Sequence, residues 1–303
     1  MRMMDPTDAS ATRSPTLDIF ELTSSGTDQF RSVLVDERGG RMFGGCTVGQ
    51  VITASRNAVN PAAMVTNVTV NFHRPADGGA RCDYRVDRLH DGKTSASRVV
   101  TAAQDGVALA TATVTFNAIS AAVTSTGHGS GDVGPMLPDD VGATGMPHRA
   151  RAIPPGSFDI RYYDRVEDDS VVRRLWFRAL DPMPADVITH QCVVALISDL
   201  YFFEPIFAQH GLQGNDRRIR YATTQHCLWF HRPPVADDWH VIESRSPAAA
   251  NGRGLVTGQI RALDGALVAT AVQEVAVRFP DSVETESTSR SGTQGVGRQT
   301  SAT

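Results

Sequence analysis

Asn71-Phe72-His73-Arg74-Pro75 recurs as Trp229-Phe230-His231-Arg232-Pro233, and this recurrence decides how the chain is read. Further along each segment, DGVALATATV (105–114) recurs as DGALVATAVQ (264–273). Phe72 and Phe230 are 158 positions apart, Asp105 and Asp264 159. A nearly constant offset over two separated matches marks an internal duplication. The chain has 303 residues, more than one domain commonly holds, so each copy has room for a core of its own.

Outward from these anchors, each copy has the same coarse order. A helix comes first. In copy one it is expected over 47–59, with Val48, Val51, Ile52, Ser55 and Val59 on one face. In copy two it is expected over 189–203, where Cys192, Val193, Leu196 and Leu200 recur at helical spacing and Thr189 is the expected N-cap. Strands follow. Val68, Val70 and Phe72 alternate up to the Arg-Pro stop, and Ile219, Tyr221, Cys227 and Trp229 are read onto one face of the matching strand. Asp-Gly at 105–106 and 264–265 marks a hairpin in each copy, because that dipeptide accepts the positive φ of a tight turn. A helix followed by antiparallel strands is an α+β unit, a sheet wrapped around a helix, here present twice. The copies occupy 16–118 and 158–280, separated by a Ser/Gly/Thr/Pro-rich linker at 119–157. The polar ends, 1–15 and 281–303, are expected to be disordered tails.

Composition narrows the function classes. A net charge of −4 gives no electrostatic reason to expect nucleic acid as a partner. The four cysteines (Cys46, Cys82, Cys192, Cys227) form no C-x-x-C pair, which favours reduced thiols over a disulfide frame or a zinc knuckle. The first residues lack an apolar signal-peptide core, and no apolar run is long enough to insert in a membrane. The expectation is a cytoplasmic protein without metal or cofactor.

Three residues of copy two are polar where the pattern calls for apolar ones. Asp199 follows Leu196 by three and Cys192 by seven, which projects it from the inward face of its helix. Thr223 shares a strand face with Tyr221. Gln273 belongs to the inward set Leu267, Ala269, Ala271, Val275, Val277 and Phe279. At the repeat offset, Thr223 corresponds to Val65 and Gln273 to Val114, so copy one is apolar at both positions. Burying such groups without partners costs roughly 1–3 kcal/mol each, so their coincidence in one copy marks a candidate site. A partly desolvated Asp199 would have a raised pKa and suit a general base, with Thr223 and Gln273 holding its water. Taken singly, each residue also has a plain structural reading: a solvated helix Asp, a core hydrogen-bonding Gln, a strand Thr.

At these residues the chain resembles the type II acyl-CoA thioesterase family (TesB-like). The resemblance is carried by Arg41-Met42-Phe43-Gly44-Gly45 with Gly49-Gln50, by Phe72-His73-Arg74-Pro75, and by Asp91-Gly92 with 95–99. In the second half it rests on Ser198-Asp199-Leu200, Ala222-Thr223, His226, Trp229-Phe230-His231-Arg232-Pro233 and Val272-Gln273-Glu274. It implies two tandem hotdog domains forming a double hotdog, and hydrolysis of fatty acyl-CoA to free fatty acid and coenzyme A. It also implies a catalytic set of Asp, Thr and Gln falling on Asp199, Thr223 and Gln273, no covalent acyl-enzyme, and assembly into a homo-oligomer, a dimer or tetramer. The chain departs from the family at Cys46, where a Gln is frequent, at 224–227 (Thr-Gln-His-Cys), and at 65–69, which lacks the histidines of many relatives.

Other residues keep two readings. Gly44 and Gly45 can present backbone N–H groups to a substrate carbonyl, or serve only close helix packing. Arg74 and Arg232 can meet coenzyme A phosphates or be structural at a strand exit, and Arg98 and Arg253 are open in the same way. His73 and His231 read as strand-end fasteners, and Cys192 and Cys227 as buried structural thiols. Two rival functions are carried forward: a hotdog acyl-thioester dehydratase or hydratase, which needs a His beside the acid, and a non-catalytic acyl-CoA binder.

Overall fold

In the strand pair at the centre of the fold, one residue faces its own repeat equivalent, 158 positions away. A computed structural model describes residues 15–119, 142 and 150–278, apart from 34, 37, 38, 58, 151, 152, 169, 215 and 217. Copy one contains α1 (Pro15–Asp18), β1 (Leu22–Gly26), β2 (Gln29–Ser32), α2 (Gly44–Ser55), β3 (Ala63–Phe72), β4 (Asp83–Asp91), β5 (Ser95–Gln104) and β6 (Val107–Ala118). Copy two contains β7 (Phe158–Glu167), β8 (Ser170–Ala179), α3 (Val187–Ser198), α4 (Glu204–Ala208), β9 (Arg220–Phe230), β10 (His240–Ala250), β11 (Arg253–Ala262) and β12 (Leu267–Arg278). The expected tails, save Pro15, and most of the 119–157 linker lie outside the described residues.

All strands join one 12-stranded antiparallel sheet in the order β1-β2-β4-β5-β6-β3-β9-β12-β11-β10-β8-β7. The order is palindromic once each strand is exchanged for its counterpart. At the seam, Thr69 pairs with Cys227, flanked by Val68 with Leu228 and Val70 with His226. Thr69 and Cys227 are themselves repeat equivalents, so a pseudo-two-fold axis passes between them. The fused copies meet as two subunits of a symmetric dimer would.

The helices pack against each other and against the sheet, and both are buried nearly all round. Close approach is possible because α2 is glycine-rich. A Cβ on Gly45 would fall 2.3 Å from Leu196 O of α3, and one on Gly49 2.3 Å from the ring of Phe20, with Cys192 O of α3 at 3.4 Å. This tertiary contact overrides the poor helix propensity of glycine and starts α2 at Gly44, three residues before the expected start. In copy two, the N-cap is Asp186 rather than Thr189. Its carboxylate accepts from Thr189 N (3.3 Å) and Thr189 Oγ1 (2.5 Å), so the threonine serves the cap from inside the first turn. The helix ends at Ser198, short of the expected 203.

The Asp-Gly dipeptides behave unequally. Asp105 (φ 48°) and Gly106 (φ 77°) form the two-residue turn between β5 and β6, and Asn251-Gly252 (54°, 70°) does the same between β10 and β11. Asp264-Gly265 sits in a wider connection between Ala262 and Leu267, with only Gly265 at positive φ (84°). Matching bulges interrupt the central strands. Thr66 is the extra residue in β3 and Thr224 in β9, and their hydroxyls donate to the equivalent carbonyls Thr115 O (3.3 Å) and Glu274 O (3.2 Å).

Candidate active site

The bulge at Thr224 determines which way β9 side chains face. It lets Thr223 share the inner face with His226, Leu228 and Phe230, while Gln225 and Trp229 point outward. The assignment of Cys227 and Trp229 to Thr223's face is therefore corrected: strict alternation fails across the extra residue. β12 has no such interruption at this point, and Ala269, Ala271, Gln273, Val275 and Val277 all lie buried as the pattern requires; Phe279 falls outside the described residues.

Asp199 is the C-cap of α3, one residue beyond the helix, rather than a position on its inward face. It is 3% exposed, and Gln273 is fully buried. Gln273 Nε2 donates to Asp199 Oδ1 (2.5 Å) and to Thr223 Oγ1 (2.7 Å), so one amide joins the carboxylate and the hydroxyl directly. With Thr223 accepting from Gln273, its own hydroxyl hydrogen is available to a further acceptor. The other carboxylate oxygen faces the start of α2: a Cβ on Gly44 would fall 2.7 Å from Asp199 Oδ2. α2 begins without a side-chain cap, which leaves the positive end of its dipole at that carboxylate.

A cavity of about 690 Å³ opens here. Asp199, Thr223 and Gly44 line it, whereas Gln273 stands behind them and holds both side chains rather than facing the space. Arg74 lines the cavity with Arg41 and Arg220, all three exposed at its mouth; Gly45 and Arg232 do not line it. Gly45 serves helix packing. Arg98 is fully buried, bonded to Asp91 (2.5 Å) and to the His90 and Ser97 carbonyls, and Arg253 pairs with Glu274 (3.4 Å). Neither reaches the cavity.

The symmetry-related position is built differently. In the helices the copy offset is 143, which sets Arg56 where copy two has Asp199, and Arg56 pairs with Asp186 at 2.8 Å. Val65 and Val114, the counterparts of Thr223 and Gln273, are fully buried. Only one of the two positions carries the carboxylate–amide–hydroxyl set.

The histidines and thiols sort clearly. His73 Nε2 lies 2.9 Å from Thr111 Oγ1, and His231 Nε2 lies 2.9 Å from Thr270 Oγ1. The same pairing in both copies, with a cavity beside only one, is the signature of a strand-end fastener. His226, not singled out by the face reading, is fully buried with Nε2 2.8 Å from Ser198 Oγ. Because the Ser198 hydroxyl donates to Ala195 O (2.8 Å), His226 Nε2–H is the donor of that pair. Its signal was the bulge, invisible to a period-two reading. Burial pushes His226 down to about 4, which keeps it neutral, and it does not line the cavity. Burial first, and the Asp199 charge second, push Cys46 up to about 12; burial likewise pushes Cys192 up to about 12 and Cys82 to about 11. None of these three is a thiolate near neutrality. No group of three or more His, Cys, Asp or Glu capable of holding a metal occurs among the described residues, and no helix among them is long and apolar enough to cross a membrane.

Two helix-and-sheet repeats fused edge to edge, with a polar set at one of two related positions, make this a double hotdog protein. A family model described as the acyl-CoA thioesterase N-terminal domain matches residues 35–117, and one described as the C-terminal domain of the same family matches 132–277. The chain belongs to the type II acyl-CoA thioesterase family, a family of thioester hydrolases. It is 26% identical to the crystal structure of an acyl-CoA thioesterase II, TesB2, from Mycobacterium marinum, covering 88% of this chain and 99% of that one with a TM-score of 0.74. It is 26% identical over 271 residues to acyl-coenzyme A thioesterase 8 of Mus musculus, covering 80% of this chain and 82% of that protein. A 36% identical stretch of 106 residues matches acyl-CoA thioesterase 2 of Haemophilus influenzae, spanning only 35% of this chain and 37% of that relative.

Proposed function

We propose that this chain hydrolyses fatty acyl-CoA to free fatty acid and coenzyme A, with Asp199 as general base toward water. The observation that carries the reading is the direct Asp199–Gln273–Thr223 hydrogen-bonded set at the wall of the 690 Å³ cavity. Gln273 fixes the carboxylate and the hydroxyl in one geometry. Asp199 takes a proton from water as the water oxygen bonds to the thioester carbon, and Thr223 orients that water through its free hydroxyl hydrogen or lone pair. The N–H groups opening α2 at Gly44 stabilise the charge that develops on the carbonyl oxygen. The carbon–sulfur bond then breaks, and the proton held by Asp199 passes to the departing coenzyme A sulfur. Arg41, Arg74 and Arg220 at the mouth suit the coenzyme A phosphates. The raised thiols and the neutral, enclosed His226 offer no nucleophilic Cys and no acid–base His in contact with Asp199, and His73, which does line the cavity, is tied to Thr111 Oγ1 at 2.9 Å as its counterpart His231 is to Thr270; this disfavours the dehydratase reading.

The test is release of free thiol from acyl-CoA by wild type and by Asp199→Ala, Thr223→Ala and Gln273→Ala. General-base assistance is worth roughly 10²–10⁴-fold, so kcat should fall by about that factor in Asp199→Ala and by less in the other two. Undiminished turnover in Asp199→Ala would remove the mechanism. Saturable binding of acyl-CoA to wild type without thiol release would make the chain a binder instead.

A further inference from the structure

We propose that Ala102 and Ala110 set the length of the acyl chain this protein accepts, by leaving a notch in the floor of the cavity. The proposal rests on the acyl-CoA reading above and adds which half of the molecule receives the acyl tail and what limits it. One row of inward-facing residues crosses four adjacent strands: Tyr84 pairs with Ala102, Ala102 with Ala110, and Ala110 with Phe72. Two alanines thus lie between two aromatic rings. Both alanines are 1% exposed and both line the cavity.

Copy two supplies an internal control. Its matching row runs Ile242, Ile260, Ala269, Phe230. At the offset of 158, Ile260 stands where copy one has Ala102, and it is fully buried. The segment between α3 and β9, α4 included, fills the same side further: Cβ atoms on Gly254 and Gly258 would fall 2.4 Å from Ile206 and 2.5 Å from Phe202. No residue of β10, β11 or β12 lines the cavity. The space beyond Asp199 therefore extends only toward copy one, where small side chains keep it open. Orientation follows from chemistry. The mouth carries arginines and suits phosphates, Asp199 and Thr223 mark the thioester, and the apolar floor at Ala102 and Ala110 is left for the tail. Beyond the notch, Tyr84 is fixed by a hydrogen bond from its hydroxyl to Gln50 Oε1 (2.5 Å), which makes the end wall rigid.

The test measures kcat/KM over straight-chain acyl-CoA from butyryl to palmitoyl, for wild type and for Ala102→Ile, which writes the copy-two residue into copy one. Because one methylene in an apolar pocket is worth roughly 10–200-fold in discrimination, the longest wild-type substrates should lose on the order of 100-fold, with butyryl-CoA little changed. Ala102→Val and Ala110→Val add less bulk and should shift the optimum by smaller steps, and thermal melting confirms that each variant is folded. A chain-length profile unmoved in folded Ala102→Val and Ala110→Val would overturn the assignment of the notch. A uniform loss on all substrates, butyryl-CoA included, would overturn it as well. Failure of wild type to release thiol from any acyl-CoA would instead overturn the underlying activity, so the two failures are told apart by the wild-type series alone.

Discussion

Gly44 and Gly45 are adjacent in the chain and serve different ends. The room at Gly44 is bounded by Asp199 Oδ2, at 2.7 Å from a built Cβ, and at Gly45 by the backbone carbonyl of Leu196, at 2.3 Å. A methyl group at Gly44 displaces a carboxylate, whereas one at Gly45 must separate two helices. Gly44→Ala is expected to lower kcat on the order of 100-fold with the melting temperature held, since small misplacements of a reacting group are worth that much. Gly45→Ala is expected to lose about 1–3 kcal/mol of stability in urea unfolding through overpacking. Equal loss of stability in both variants would contradict this division. At this scale the sequence was informative: Asp199, Thr223 and Gln273 stood out because each put a polar group on an oily face, and they meet within direct hydrogen-bond distance. It could not tell that Gln273 stands behind the other two, because depth in a wall is a matter of packing.

The strand β9 carries the main departure from pattern. Its extra residue, Thr224, turns His226 inward, opposite Gln273 in the register, and against Ser198 at the end of α3. An alternation rule has no means of seeing a bulge, since the bulge is a property of two strands together. The buried imidazole has a measurable consequence. Its pKa falls from 6.5 to about 4 on folding, because burial disfavours the charged ring. Below pH 6.5 the unfolded chain takes up a proton that the folded chain refuses, so stability falls as pH drops from 6.5 to 4 and levels off below. The loss amounts to about 3 kcal/mol for this group. Unfolding free energies across that range, compared between wild type and a folded His226→Gln variant, should show the steeper slope in wild type. Parallel slopes would mean His226 does not stay neutral in the fold.

For the whole molecule, the duplication implied two halves joined edge to edge as the subunits of a dimer would be, and the sheet is continuous across them; which equivalent residues meet at the axis, Thr69 and Cys227, was not legible, because the offset holds for every equivalent pair. Which half would hold the cavity was not legible. That depends on single small residues such as Ala102 against Ile260, and on how the loop after α3 fills copy two. The division of labour is then uneven: copy two contributes the polar set, copy one contributes Gly44 and most of the apolar floor. In the proposed mechanism water, rather than the Asp199 carboxylate, attacks the thioester. A single turnover with enzyme in excess over acyl-CoA, run in water labelled with heavy oxygen, tests this directly by mass spectrometry. One heavy oxygen in the released fatty acid, with the peptide containing Asp199 unlabelled, is the predicted result. Heavy oxygen in that peptide and unlabelled fatty acid would contradict it, because the label would then have entered by opening an acyl anhydride on Asp199.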